Sequence, residues 1–247
     1  MKDKVIVITG GFGGVGQAAA KRFSNLGARV FIIVRKNMES AEEFVKSLPN
    51  QQLGHQAFLA SITDTAALKN VVNEITEKVG KCDLLINAAG ITKTINGNTL
   101  ESYTDELIDE ILINNVRGTF ATIREFVPLL RISDDPLIVN ITSTAALRAG
   151  NSNMMYGASK SSLILLTRSL SRLLSPKIRV VSICPGILEH TTSGAWKPDW
   201  YNEKMSKEIP VGRVGKADDV VSTIESLATV MPYVNGSSII LDGGRLA

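Results

Sequence analysis

The stretch KVIVITGGFGGVG, residues 4–16, decides how this chain folds. Val5 to Ile8 are all β-branched with no polar break, the pattern of a strand buried on both faces. The run ends in glycines, and a helix opens at Gly14, with Val15, Ala18, Ala19, Phe23 and Leu26 as its apolar positions and Gly27 as its stop. Residues 9–16 fit T-G-x-x-x-G-x-G from Thr9, and G-x-G-x-x-G starts at Gly11. Glycine tolerates positive φ and lets an anion come close to the backbone, where the free N–H groups of a helix start face it. Any tight strand-to-helix turn favours glycine. Its place after the first strand, opening a helix, makes this turn a dinucleotide-binding signal.

Outward from that turn, strands and helices alternate. Strands are expected at 28–34, 56–59, 83–87, 136–143, 178–184 and 237–243, with helices at 38–48, 65–79, 103–131, 154–174 and 217–231 between them. Asp64 supplies the cap of the third helix. No linker, repeat or low-complexity run divides the pattern, so 1–247 is expected to be a single α/β domain around a parallel sheet covered on both faces. Ligands of such sheets bind beyond the carboxyl ends of the strands, where the strand order reverses.

Composition narrows the function classes. Of 247 residues 44% are hydrophobic, enough for a sizeable core. The formal charge of +3 comes with no basic block, so no nucleic-acid partner is expected. Cys82 and Cys184 sit in apolar stretches and read as buried thiols of a reducing compartment. Two histidines, His55 and His190, are too few for a His-based metal site, so no metal is expected. No apolar run reaches membrane-spanning length, and the first one leads directly into glycines, so no signal peptide is expected. The expected location is cytoplasmic, with no membrane partner.

The end of the second strand bears on the cofactor. An acidic residue there would hold the ribose 2′-hydroxyl of NAD, but the chain has Val34, Arg35 and Lys36. Cations at this point suit the 2′-phosphate of NADP, and they also read as ordinary solvated loop charges. NADP is therefore expected, with NAD as the alternative.

Tyr156 and Lys160 stand four positions apart in YGASK and so share one helix face. A phenol titrates near ~10 and is a poor base at neutral pH. A neighbouring ammonium favours the phenolate, which would make a tuned proton donor and acceptor. Taken alone, the pair reads rather as a solvated lysine beside a half-buried tyrosine.

Its company is more specific. The chain resembles the short-chain dehydrogenase/reductase family, in its single-domain branch that includes 3-oxoacyl-carrier-protein reductases. The resemblance rests on TGxxxGxG at 9–16, NAAG at 87–90, Asn115 with Gly118, and Ser143 thirteen residues before Tyr156. YGASK at 156–160, PG at 185–186, RVG at 213–215 and LDGG at 241–244 extend it along the whole chain. It implies a three-layer Rossmann fold with a seven-stranded parallel sheet, and hydride transfer between a nicotinamide cofactor and an alcohol or ketone.

The resemblance also implies residue roles. Tyr156 is the general acid/base, Lys160 lowers its pKa and binds the nicotinamide ribose, and Ser143 donates to the substrate oxygen. Asn115, at a kink in the long helix, holds a proton-relaying water. Gly10, Gly11, Phe12, Gly14, Val15 and Gly16 form the phosphate turn. Asn87 braces the fourth strand, with Ala88 and Gly90 beside the adenosine half. Pro185, Gly186 and Leu188 line the nicotinamide. Relatives of this kind are homo-oligomers, tetramers or dimers, that bury the long helices.

Three positions depart from the family pattern. NADP users often carry a basic residue where this chain has Gly13, which leaves the 2′-phosphate to Arg35 and Lys36. The usual adenine-binding aspartate after the third strand is Ser61, with Ile62 next to it. A common threonine is replaced by His190, followed by Thr191 and Thr192. The segment at about 189–210 corresponds to the substrate lid of relatives. Trp196 and Trp200 there read either as a wall over the substrate or as packing of the lid, while Leu147, Met154 and Met155 are expected to add apolar lining.

The expected function is an NADP-dependent oxidoreductase interconverting a freely diffusing secondary alcohol and ketone. Asp134, Asp135 and Pro176 stand where carrier-linked reductases present basic docking residues, although Lys177 and Arg179 lie close. The carrier-linked role is the alternative. A non-catalytic dinucleotide sensor is the reading from another class, and retention of Ser143, Tyr156, Lys160 and Asn115 speaks against it.

Overall fold

The computed structural model describes residues 1–93, 95, 99–149, 153–189 and 199–247, with the backbone alone for 199–201. Seven strands form one sheet: β1 (Val5–Thr9), β2 (Arg29–Val34), β3 (Gln56–Leu59), β4 (Leu84–Asn87), β5 (Leu137–Ile141), β6 (Arg179–Pro185) and β7 (Ser238–Leu241). Their spatial order is β3-β2-β1-β4-β5-β6-β7, and every pair is parallel. The chain runs outward from β1 to β3, then returns to the other side of β1 for β4. The order therefore reverses between β1 and β4, and ligands of open sheets bind at such a point.

Successive strand residues face opposite sides, which splits the core in two. Ile6, Ile8, Val30 and Ile32 pack with α1 (Gly14–Asn25), α2 (Met38–Lys46) and α8 (Ala217–Thr229). Val5, Val7, Phe31 and Ile33 pack on the other face with α3 (Thr65–Val79), α5 (Thr119–Ile132) and α6 (Met154–Leu174). This is the expected three-layer arrangement of a seven-stranded parallel sheet. Cys82 and Cys184 are buried free thiols, as read from the sequence.

The long helical stretch differs in detail. It begins at Asp105, because Thr104 takes the cap and accepts from Leu107 N–H. α4 (Asp105–Leu112) then passes through a π-helical turn, Ile113–Gly118, into α5. The expected kink at Asn115 is this wider turn. A further helix, α7 (Asp199–Glu208), occupies the second half of the expected lid. Its sequence is mostly polar, and among the described residues Met205, near its end, packs with Ile209, Val214 and Ile187.

Among the described residues no helix is long and apolar enough to cross a membrane.

Candidate active site

A cleft of about 700 Å3 runs across the carboxyl ends of the strands. Its floor is the turn after β1. Gly10 has φ +65°, and a Cβ there would lie 2.8 Å from Ala89 N. A Cβ on Gly16 would lie 2.3 Å from the Gly10 carbonyl oxygen, so the helix can approach the turn this closely only with glycine. Gly13 precedes α1 and gives it no side-chain cap, and the first turn of α1 has no acidic residue. Its N–H groups are left to face an anion.

Gly10, Gly14, Val15 and Gly16 line the cleft, as do Arg35 and Lys36 at the end of β2. Ala88 and Gly90 after β4, and Pro185, Gly186 and Leu188 after β6, line it too. Gly11 instead packs onto Ile32, and Phe12 stands edge-on to Phe44. Asn87 is buried in the sheet, where its amide donates to Asn140 Oδ1 at 2.9 Å. Ser61 bonds Thr63 and Ile62 is buried against Gly118, and neither is among the residues that line the cleft. The residues present fit a dinucleotide: a glycine-floored groove, an open helix start, and two cations at the end of β2.

At the other end, β5 and α6 bring Ser143, Tyr156 and Lys160 to one wall. Asn153 caps α6, its Oδ1 accepting from Tyr156 N–H at 3.0 Å. Residues i and i+4 of a helix stack, and Lys160 Nζ lies 5.7 Å from the centroid of the Tyr156 ring. Lys160 is 5% exposed and donates to Ile141 O at 2.9 Å. The backbone N–H of Ala145 donates to Ser143 Oγ, and Ser143 is hydrogen-bonded through its side chain to Tyr156.

Both partners of the pair are shifted by burial. Burial pushes the phenol above its usual value, and the Ser143 hydrogen bond pulls it down by less. Burial also lowers the Lys160 ammonium to about 8. The sequence placed the two groups correctly but could not show that both are desolvated.

Asn115 in the π-helical turn is fully buried, and its side chain is engaged on both sides. Its amide donates to Ile91 O and Ser159 Oγ, each at 2.9 Å, and its Oδ1 accepts from Ile91 N–H at 2.7 Å. A Cβ on Gly90 would lie 3.2 Å from Asn115 Oδ1 and 3.3 Å from Lys160 Nζ. The glycine thus lets these two polar groups flank one point.

Leu147 is exposed beyond the short turn that follows Ser143, and neither it nor Met155 lines the cleft among the described residues. Met154 is half exposed, and its N–H donates to the Tyr103 hydroxyl. Trp196, His190, Thr191 and Thr192 lie outside the described residues, as does the side chain of Trp200. Sequence reading missed Ile91, Thr142, Arg148, Glu189 and Arg245, all on the cleft wall. No local pattern marks them, since turns after β4, β5, β6 and β7 carry them in.

Comparison with known proteins agrees with this geometry. Residues 11–245 match the family model described as enoyl-(acyl carrier protein) reductase. The chain is 31% identical over 248 aligned positions to the 3-oxoacyl-[acyl-carrier-protein] reductase FabG of Thermotoga maritima, covering 99% of this chain and 98% of that protein. It is 29% identical to meso-2,3-butanediol dehydrogenase of Serratia marcescens, covering 99% and 95%. The solved structure of a short-chain dehydrogenase/reductase (glucose/ribitol dehydrogenase) from Brucella melitensis superposes with a TM-score of 0.91 at 28% identity, covering 99% and 97%.

Proposed function

Given that the chain belongs to the short-chain dehydrogenase/reductase family of oxidoreductases, we propose that it interconverts a freely diffusing secondary alcohol and a ketone with NADP as cofactor. The observation that carries this reading is the convergence of Ser143, Tyr156 and Lys160 on one wall of a glycine-floored cleft. A bound nicotinamide supplies or takes the hydride. The chain's own part is proton transfer and positioning. Ser143 donates a hydrogen bond to the substrate oxygen, and Tyr156 delivers the proton that this oxygen needs as it becomes a hydroxyl. Both groups act where charge develops. Lys160 holds the ribose and offsets the high phenol pKa by placing a positive charge beside the phenolate. Asn115 holds the Gly90–Ile91 backbone against Lys160 and, with it, the water that renews the proton.

Arg35 and Lys36 at the cleft rim support NADP over NAD. They line the same cleft as the glycine turn, and a cation there suits a charge-assisted contact with a 2′-phosphate.

The curated relatives named 3-oxoacyl-[acyl-carrier-protein] reductase favour a second reading, with the ketone held on an acidic carrier. Arg179 speaks against docking at the expected place. Its side chain is 11% exposed and pairs with Asp135, and it also donates to the carbonyls of Leu227 and Met231. A ketone and alcohol panel, followed by the absorbance of the reduced nicotinamide with each cofactor, tests the first reading. Comparing acetoacetyl-carrier with small acetoacetyl thioesters at low and high salt separates the two. A carrier preference that weakens with salt would favour the second.

We read the exposed apolar side of α5 and α6, with Phe120 and Leu165, as the face shared by copies of the chain. Phe120→Glu should lower the mass seen by light scattering.

A further inference from the structure

Charge on the cleft wall is strongly one-sided. Among its described residues Arg35, Lys36, Arg148, Lys160 and Arg245 are cationic, and Glu189 is the only acid. Arg35 and Lys36 end β2, and Lys160 belongs to the proton-transfer group. Arg148 and Arg245 are used by neither.

Both arginines line the cleft, from different segments. Arg148 follows the short helical turn Thr144–Ala146, which Ser143 caps. That turn is fixed to α6 by the Ser161 hydroxyl, which donates to Ala146 O at 2.7 Å. Arg148 is thus carried on the segment that leaves Ser143. Arg245 is set by Asp242, whose carboxylate accepts from the N–H groups of Gly244 and Leu246, both at 2.9 Å. Asp242 in turn is packed against Gly186, where a Cβ would lie 2.8 Å from Asp242 Cβ. Arg245 therefore rises beside the loop after β6. Its guanidinium reaches Glu208 at the end of α7 at 3.3 Å. A guanidinium has five donors in a planar fork, so one contact to Glu208 leaves the geometry for a second anion.

Resting on the oxidoreductase reading above, we propose that the substrate bears an anionic group, and that Arg148 and Arg245 bind it while Ser143 and Tyr156 engage its carbonyl or hydroxyl oxygen. The chemical class is an oxo acid or its hydroxy-acid counterpart, ionised at neutral pH. The same anion chemistry could be offered by the phosphate of a pantetheine-type thioester.

The test measures kcat/KM with NADPH on matched compounds: acetoacetate, its neutral methyl ester, a neutral short thiol ester and the coenzyme A thioester. For charge-assisted contacts the anionic member should exceed its neutral partner by roughly ten- to a hundredfold. Acetoacetate over its ester identifies a carboxylate, and the coenzyme A ester over the short thiol ester identifies a phosphate. Arg148→Ala and Arg245→Gln should each collapse the ratio toward one. Lys177→Ala, an exposed cation outside the cleft, should leave it intact. Anionic members no better than neutral ones, or ratios unmoved in both arginine variants, would overturn the inference while leaving the oxidoreductase reading standing. Absence of turnover with every ketone and alcohol would sink both.

Discussion

Lys160 Nζ donates to the backbone carbonyl of Ile141 at 2.9 Å, which ties α6 to the carboxyl end of β5 two residues before Ser143. One bond thereby fixes the distance between the element that carries Tyr156 and the element that leads to its hydroxyl partner. A parallel chain of bonds runs deeper: Asn87 to Asn140, and Asn140 to Thr167 Oγ1, both at 2.9 Å, joining β4, β5 and α6. The site is rigid because its two segments are tied together at both levels.

That position burdens the folded chain with a buried amine, and the burden depends on pH. Lys160 titrates near 8 when folded and near its usual 10.5 when unfolded. Above 10.5 neither state carries the proton, and below 8 both do, so the full penalty is present at neutral pH. Between these values the unfolded chain holds more protons, and stability rises with pH. Relative to Lys160→Met, which cannot titrate, the wild-type chain should gain on the order of 3 kcal/mol from pH 8 to 10.5. Denaturant unfolding of both proteins across that range checks it, and a constant difference would count against the buried ammonium.

Arg35→Ala should raise KM for NADPH and leave that for NADH nearly unchanged. A charge-assisted phosphate contact of ~1.5–3 kcal/mol corresponds to roughly ten- to a hundredfold. Steady-state kinetics with both cofactors decides, and equal effects would assign Arg35 to structure alone.

Asn115→Ala removes the bonds to Ile91 N–H, Ile91 O and Ser159 Oγ at once. Buried groups left unpaired cost about 1–3 kcal/mol each, so unfolding free energy should fall by several kcal/mol. Turnover should drop at least about tenfold, since Gly90 and Ile91 then loosen against Lys160. Unchanged stability and turnover would show that the π-helical turn needs no such bracing.

Much of this was legible in the chain. β1 and the glycine turn announced themselves because strand periodicity, glycine and helix start all fall within residues 4–16. That Tyr156 and Lys160 share one helix face was legible from helix geometry, while their roles came only with the family resemblance. The raised phenol was not, since burial comes from the packing of α6 against the sheet and has no local signature. Nor was α7, whose sequence is mostly polar and which packs through Met205 near its end. Arg148 and Arg245 stayed hidden for a related reason: they lie 97 positions apart and only the sheet brings their segments to one cleft.

The central claim is that the Tyr156 hydroxyl supplies the proton. Tyr156→Phe deletes that hydroxyl and keeps the ring, so its kcat on the best ketone found, measured beside NADPH affinity by cofactor fluorescence, is the most direct test. General acid–base catalysis contributes ~10²–10⁴-fold, and kcat should fall by that factor while NADPH affinity stays within about threefold. A variant that turns over at near wild-type rates would contradict the account.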